Sequence, residues 1–277
     1  MFPEFLTGGG DMIRRQCPRV RNLLIALLAL VATAGAAAAH PGGAANVMLV
    51  HGAWADGSSW ARVIPLLEAR GLNVTAVQLP LTSLADDVDT TRRAIALMET
   101  EHPGPIVLVG HSYAGVVIGE AGNDPNVVAL VYVASVAPDQ GQSLLSLLNG
   151  AATPSPVGNH LVFNSYLAAT PFITIDPVGV DQDFAQCLPE VERRVVTATQ
   201  GPTNYLALAG AATSPAWKTK PSWFIVAKND RTIPPDLEEA MAATIGAHTT
   251  TLKTCHLAML DMPFQVANVI VNATHGE

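Results

Sequence analysis

Short apolar runs alternate with amphipathic segments along most of the chain. Such runs are typical of strands that are buried on both faces of a parallel sheet. They occur at residues 46–50, 73–79, 105–110, 127–136, 223–227 and, in a more polar form, 249–253. Apolar residues at helical spacing predict helices at 58–70, 84–101, 116–121 and 263–273, and a helix that begins at Pro234-Pro235. The alternation predicts an α/β fold with a doubly wound, mostly parallel sheet of about six strands.

Residues 139–221 interrupt this alternation. They contain helical fragments at 144–148, 191–197 and 205–211, without a clear buried strand. A helical insertion before the fifth strand predicts a cap over the carboxyl edge of the sheet, where ligands bind in open α/β sheets. We therefore expect residues 40–277 to form one domain that carries this cap insertion.

The first 39 residues have the pattern of a secretory signal peptide. Several arginines precede an apolar stretch that begins at Leu23, and small alanines lead to Ala39. The apolar stretch is short for a membrane span and its second half is mostly alanine. We expect cleavage between Ala39 and His40, export to the periplasm or the medium, and no membrane span in the mature chain.

Composition excludes several classes of protein. With 49% hydrophobic residues the chain is too apolar for disorder. Its net charge of −8, from 15 basic and 23 acidic residues, argues against a nucleic-acid partner. Three cysteines exclude a disulfide-framework scaffold, and because no two are close in sequence, a cysteine-based zinc site is not expected. Whether Cys187 and Cys255 form a disulfide stays open at this stage.

A candidate nucleophile, Ser112, lies where the run 105–110 meets a helix. The local sequence is Gly-His-Ser-Tyr-Ala-Gly, residues 110–115. A serine on a sharp strand-to-helix turn projects its hydroxyl outward, and the crowded turn requires small residues on both sides. Gly110 and Ala114 meet this requirement, although Ala114 departs by one methyl group from the Gly-x-Ser-x-Gly pattern.

A candidate oxyanion site involves the end of the first strand, His51-Gly-Ala-Trp54. Acyl transfer requires two N–H donors directed at one oxygen, one from the residue after the nucleophile and one from this loop. Tyr113 and Ala53 fit these positions. His51 and His111 lie inside the two turns, where we interpret them as hydrogen-bonded, orienting histidines rather than as a base or metal ligands.

A serine nucleophile also requires a base and a carboxylate that orients it. Asp230 follows the strand 223–227 and His256 follows the last strand, so both are expected at the same sheet edge as Ser112. The rival candidates are Asp261 and Asp176 as the acid, and His248 and His275 as the base.

Together these segments resemble the α/β-hydrolase superfamily, and especially its compact-capped group of plant methyl-ester esterases, hydroxynitrile lyases and many bacterial esterases. The likeness is carried by residues 50–54 with Trp60, residues 110–115, residues 230–235 and His256. It implies a carboxylic ester hydrolase that forms an acyl-enzyme on a Ser-His-Asp triad, without a metal or a cofactor. Hydroxynitrile lyases carry a lysine after the histidine, whereas Leu257 stands here. A hydrolase-like ligand-binding protein and a C–C or cofactor-free enzyme on the same triad remain alternatives.

The substrate is expected to be a small apolar ester. The loop after the first strand supplies Trp54 as a candidate substrate contact. The cap is rich in large apolar side chains, which either line an apolar pocket or form the packed core of the cap. These cap residues are Leu144, Leu145, Leu148, Phe163, Tyr166, Leu167, Phe172 and Ile173.

Overall fold

The computed structural model describes residues 43–165 and 169–277. The predicted signal segment lies outside these residues, as do Tyr166 and Leu167. The strands are β1 (Asn46–Val50), β2 (Asn73–Val77), β3 (Ile106–His111), β4 (Val127–Val133), β5 (Leu161–Asn164), β6 (Phe172–Ile175), β7 (Thr203–Asn204), β8 (Ser222–Ala227) and β9 (His248–Leu252). The helices are α1 (Ile64–Glu68), α2 (Leu84–Glu101), α3 (Ala114–Ala121), α4 (Leu144–Asn149), α5 (Pro177–Gly179), α6 (Glu190–Thr199), α7 (Tyr205–Ala209), α8 (Pro235–Thr244), α9 (Ala258–Asp261) and α10 (Pro263–His275).

The main sheet has six strands in the order β2-β1-β3-β4-β8-β9, and every pair is parallel. Each residue of β1, β3 and β8 is buried. Burial on both faces explains why these strands are uninterrupted apolar runs, since helices cover both sides of a doubly wound sheet. The predicted α/β fold is confirmed. The predicted ends were less accurate, because β2 stops at Val77 and β4 at Val133.

The helix predicted over residues 58–70 is divided in the structure. A 3₁₀ turn (Gly57–Trp60) comes first, and its amino end is capped by the Asp56 side chain, which accepts the N–H of Ser58. A separate helix, α1, follows with Pro65 in its first turn. Proline has no N–H to donate to the preceding turn, so a new helix begins there.

The segment between β4 and β8 contains the helices α4, α6 and α7, in agreement with the three predicted fragments. It also contains an antiparallel sheet in the order β5-β6-β7, which the sequence did not predict. In β6, Ile173 and Ile175 are buried and alternate with partly exposed residues. Four residues are too few to distinguish such alternation from chance. Within the described residues, no helix combines the length and apolar character needed to cross a membrane.

Candidate active site

Ser112, His256 and Asp230 form a continuous hydrogen-bonded chain at the carboxyl edge of the main sheet. The Ser112 hydroxyl lies 2.9 Å from Nε2 of His256, and Nδ1 of His256 lies 2.6 Å from Oδ2 of Asp230. Because a carboxylate can only accept, Nδ1 carries the proton and Nε2 is free to accept from the serine. Ser112 is 4% exposed and His256 is fully buried. The fold thus brings together three residues that are far apart in sequence.

Asp230 is held in place by the start of the segment that leads into α8. Its Oδ1 accepts the N–H groups of Thr232 at 2.6 Å and Ile233 at 2.9 Å, which leaves Oδ2 for His256. Three donors on one buried carboxylate fix its orientation. The carboxylate can therefore orient the imidazole of His256 and stabilise a positive charge on it.

The turn at Ser112 has the strained geometry that its sequence predicts. Ser112 has φ +56°, in the left-handed region that few non-glycine residues adopt, and α3 begins two residues later. The Ser112 carbonyl accepts the N–H of Gly115 at 3.1 Å and the hydroxyl of Ser135 at 2.6 Å. A Cβ atom at position 115 would lie 1.8 Å from the Val136 carbonyl oxygen, so this position requires glycine. The required glycine therefore stands one position later than the usual pattern places it.

The loop after β1 packs directly against Ser112. A Cβ atom on Gly52 would lie 2.8 Å from the Cβ of Ser112, so only glycine permits this approach. The N–H groups of Ala53 and Tyr113 make no hydrogen bond to any described residue. The N–H of Trp54 is already used, because it donates to the Thr203 hydroxyl at 3.1 Å. Ala53 and Tyr113 thus retain free donors next to the serine, as an oxyanion site requires.

His51 and His111 hydrogen-bond to backbone groups and not to the Ser112 hydroxyl or the Asp230 carboxylate. Nδ1 of His51 donates to the Gly52 carbonyl and its Nε2 accepts the N–H of Leu79, each at 2.9 Å. Nε2 of His111 donates to the carbonyl of His256 at 3.0 Å, which positions the backbone of that residue. Burial lowers the pKa of His51 and, more strongly, that of His111, so both rings are neutral.

Tyr113 has a side-chain partner that the sequence did not reveal. Its hydroxyl donates to Oδ2 of Asp87, on α2, at 2.8 Å, and Oδ1 of Asp87 accepts the N–H of Leu81 at 2.8 Å. Both side chains are fully buried. Burial raises the pKa of Asp87 to about 6. The sequence did not reveal this pairing, because spacing alone gives no sign of a contact across 26 residues.

A second buried carboxyl lies near Asp230. Glu238, in the first turn of α8, is fully buried, and its Oε2 accepts the N–H of Ala227 at 2.9 Å. No N–H or O–H group of the described chain donates to its Oε1. Burial and the negative charge of Asp230 hold the pKa of Glu238 well above its usual range. Burial beside the carboxylate of Asp230 therefore favours the neutral, protonated form of Glu238.

The rival residues lie in other interactions. Asp261 accepts the hydroxyl of Thr254 at 2.7 Å, and Asp176 pairs with His160 at 3.2 Å. The ring of His248 stacks on Trp223, and His275 is exposed in the last turn of α10. None of the four rivals hydrogen-bonds to Ser112 or His256.

A cavity of about 390 Å³ opens onto Ser112. No charged side chain of residues 43–165 or 169–277 lines it. Its apolar lining comes mainly from α4 and residues 151–161, and it includes Trp54, Leu144, Leu145, Leu148, Val157, Leu161, Leu208 and Ile233. Of the other predicted lining residues, Phe163 is 58% exposed, Ile173 is buried in the core, and neither they nor Phe172 reach the cavity.

Trp54 joins the loop after β1 to the inserted segment. It has φ +57°, its indole Nε1 donates to the Ile173 carbonyl at 3.0 Å, and its ring packs edge-on to Phe184. A smaller cavity of about 210 Å³ lies between Trp54, Phe184, α6 and Leu257, and Ser112 does not line it. The strained backbone and two hydrogen bonds fix the indole as a wall of both cavities.

Known proteins resemble the chain over most of its length. The sequence model of the alpha/beta hydrolase family matches residues 47–269 of this chain. Alpha/beta hydrolase nvfD of Aspergillus novofumigatus is 25% identical over 248 residues, which are 82% of this chain and 95% of that protein. The carbendazim hydrolyzing esterase of Nocardioides sp. is 32% identical over 120 residues, which are 40% of this chain and 50% of that protein. The crystal structure of polyneuridine aldehyde esterase shares the fold, with a TM-score of 0.72 at 20% identity over 82% of this chain and 98% of that one.

Proposed function

Because the chain belongs to the alpha/beta hydrolase family, we propose that it is a serine esterase that cleaves carboxylic esters through an acyl-enzyme. The observation that carries the proposal is the hydrogen-bonded chain from Asp230 through His256 to Ser112, with a cavity open to the serine. A buried serine, a neutral imidazole and a carboxylate in this order make an activated nucleophile. Esterases among the similar proteins support the same reaction class.

In the acylation step, the Ser112 oxygen attacks the ester carbonyl while Nε2 of His256 accepts its proton. The tetrahedral intermediate then collapses, and His256 returns that proton to the leaving alcohol. Asp230 stabilises the imidazolium that exists between these two transfers, and it keeps the proton of Nδ1 in place. The products of this half-reaction are a free alcohol and an acyl ester of Ser112.

In the deacylation step, water takes the place of the alcohol. His256 removes a proton from the water as it attacks the acyl carbonyl, and it returns the proton to the Ser112 oxygen when the acid leaves. The N–H groups of Ala53 and Tyr113 bind the oxyanion in both steps. A donor of this kind contributes most when it is held in place before charge develops, and the Gly52–Ser112 contact holds this loop.

The cavity favours an uncharged apolar ester. The leucines of α4, together with Leu208 and Ile233, offer no partner for a charged group, and Trp54 closes one wall. Burying an unpaired charge there would cost several kcal/mol. Esters that carry a free carboxylate or an ammonium group should therefore be poor substrates. Leu257 after the histidine leaves no ammonium group to stabilise a cyanide leaving group, which favours ester hydrolysis over the lyase reaction.

The test is to trap the acyl-enzyme. The full chain is mixed with p-nitrophenyl butyrate, quenched in acid within its first turnovers and digested for mass spectrometry. We expect a butyryl group on the peptide that contains Ser112, together with release of p-nitrophenol. Binding without turnover would contradict the proposal in favour of a ligand-binding protein. Turnover with the acyl group on another residue would overturn the assignment of Ser112.

A further inference from the structure

Two cysteines that are far apart in sequence meet beside His256. Cys187 lies in the turn between the π-helical segment Val180–Phe184 and α6, and Cys255 immediately precedes His256. The N–H of Cys187 donates to the sulfur of Cys255 at 3.3 Å. The two sulfur atoms and a carboxylate oxygen of Asp261 lie within 4.8 Å of one another. The sequence left this pairing open, because 68 residues separate the two positions.

The turn that carries Cys187 contacts both loops of the proposed triad. The ring of Phe184 lies 5.2 Å from the ring of His256, measured between centroids. The side chain of Gln186 donates to the carbonyl of Asn229, next to Asp230, at 2.8 Å. Cys187 is half-buried and Cys255 is fully buried, so a small reagent reaches Cys187 first. A covalent bond here would fix the inserted segment against the catalytic loops.

We propose that Cys187 and Cys255 form a disulfide when the protein meets a small-molecule disulfide. The Cys187 thiolate attacks the reagent RS–SR, forms a mixed disulfide and releases one RS⁻. The Cys255 thiolate then attacks the sulfur of Cys187 and releases the second RS⁻. The protein loses two electrons and two protons, and the reagent leaves as two RSH.

The surroundings make the disulfide slow to form but favour it once it has formed. Burial raises the pKa of both thiols, so each is a poor thiolate and the exchange is slow. The carboxylate of Asp261 repels a thiolate, whereas it tolerates a neutral disulfide. Disulfides are common in exported proteins, and the predicted signal segment would lead the chain to such an environment.

The bond should raise the melting temperature rather than switch activity. It would close a long loop in the unfolded chain, and the model for such loops predicts a Tm rise of roughly 5–15 °C. Ser112, His256 and Asp230 already have their hydrogen bonds with the thiols free, so ester hydrolysis should be similar in both forms. The inference does not depend on the proposed function.

The experiment equilibrates the purified full chain with oxidised glutathione, or with a phosphine reductant. Both samples are alkylated in denaturant and digested for mass spectrometry. We expect the oxidised sample to contain a linked peptide with Cys187 and Cys255, and to melt at the higher temperature. The Tm difference should vanish in Cys187→Ser and persist in the control Ser214→Ala, at an exposed serine outside the cysteine cluster.

Alkylation of both Cys187 and Cys255 after oxidation would overturn the proposal, and this readout needs no variant to fold. A Tm difference that persists in Cys187→Ser would also overturn it. A third arm titrates the reduced protein with zinc. If the thiols resist oxidised glutathione and the protein instead binds zinc tightly, and if Cys187→Ser abolishes that binding, then Cys187, Cys255 and Asp261 form a metal site rather than a disulfide site.

Discussion

The Tyr113 hydroxyl donates to the buried carboxyl of Asp87, so the residue after the proposed nucleophile is anchored to α2. Burial raises the pKa of Asp87 from 3.8 to about 6. The folded state therefore holds this proton more tightly than the unfolded state does. The contribution of this protonated carboxyl to the free energy of unfolding is complete below about pH 4, and it is lost as pH rises through 6. The loss is on the order of 3 kcal/mol.

Asp87→Asn should remove this dependence, since a neutral amide can still accept from Leu81 and pair with the Tyr113 hydroxyl. Chemical denaturation between pH 4 and 8 should show the variant losing less stability than the wild type as pH rises. Asp86→Asn is the matched control, because Asp86 is exposed and hydrogen bonds from Thr82 and Ser83 lower its pKa. Parallel curves for wild type and Asp87→Asn would contradict the assignment.

Glu238→Gln should keep nearly full activity, within about threefold in kcat. Glutamine can accept the N–H of Ala227, as Glu238 does, and it places no negative charge beside Asp230. Glu238→Leu removes the acceptor, leaves the buried N–H of Ala227 unsatisfied, and should lower kcat and stability by a larger amount. The check is kcat against pH for both variants. A Gln variant as impaired as the Leu variant would mean that Glu238 is ionised.

Asp230→Asn should lower kcat by on the order of 10⁴, because an amide no longer stabilises the imidazolium and favours the wrong tautomer of His256. Asp261→Asn is the matched control and should change kcat by less than about threefold, since Asp261 bonds to Thr254 and not to His256. Both variants are compared by initial rates on p-nitrophenyl butyrate. A larger loss in Asp261→Asn would show that the wrong carboxylate has been assigned.

Leu148→Trp should narrow the cavity at Ser112 and penalise long acyl chains. We expect kcat/KM for p-nitrophenyl octanoate to fall about tenfold more than for the acetate ester, since lost apolar contacts of a few methylenes are worth 1–3 kcal/mol. Leu97→Trp, on the exposed side of α2, is the matched control and should leave both substrates unchanged. Equal losses for the two esters would show that Leu148 does not contact the acyl chain.

Local patterns were sufficient to predict the main sheet and the positions of the candidate site. Strands buried on both faces are continuous apolar runs, so the sequence alone predicts β1, β3 and β8 without knowledge of the strands they pair with. Ser112 and Asp230 each follow such a run, and His256 follows the more polar last strand, β9. Because parallel strands place their carboxyl ends at one edge, chain order alone predicted that the three would meet.

Contacts between distant segments were not predictable in this way. The pairing of Tyr113 with Asp87 and the approach of Cys187 to Cys255 depend on how helices and loops pack, and a single sequence carries no signal of that packing. The small sheet β5-β6-β7 was not predicted for a different reason. Its strands have two to four residues, and much of β5 is exposed, so no periodicity develops.

The most direct test of the proposed esterase mechanism is the rate of Ser112→Ala on p-nitrophenyl butyrate. The exposed Ser214→Ala serves as the matched control, and circular dichroism verifies that both variants are folded. Because the members of a triad act as a unit, we expect kcat to fall by roughly 10⁴–10⁶ in Ser112→Ala and to stay unchanged in Ser214→Ala. A folded Ser112→Ala protein that keeps more than about a tenth of the wild-type rate would contradict the assignment of Ser112 as the nucleophile.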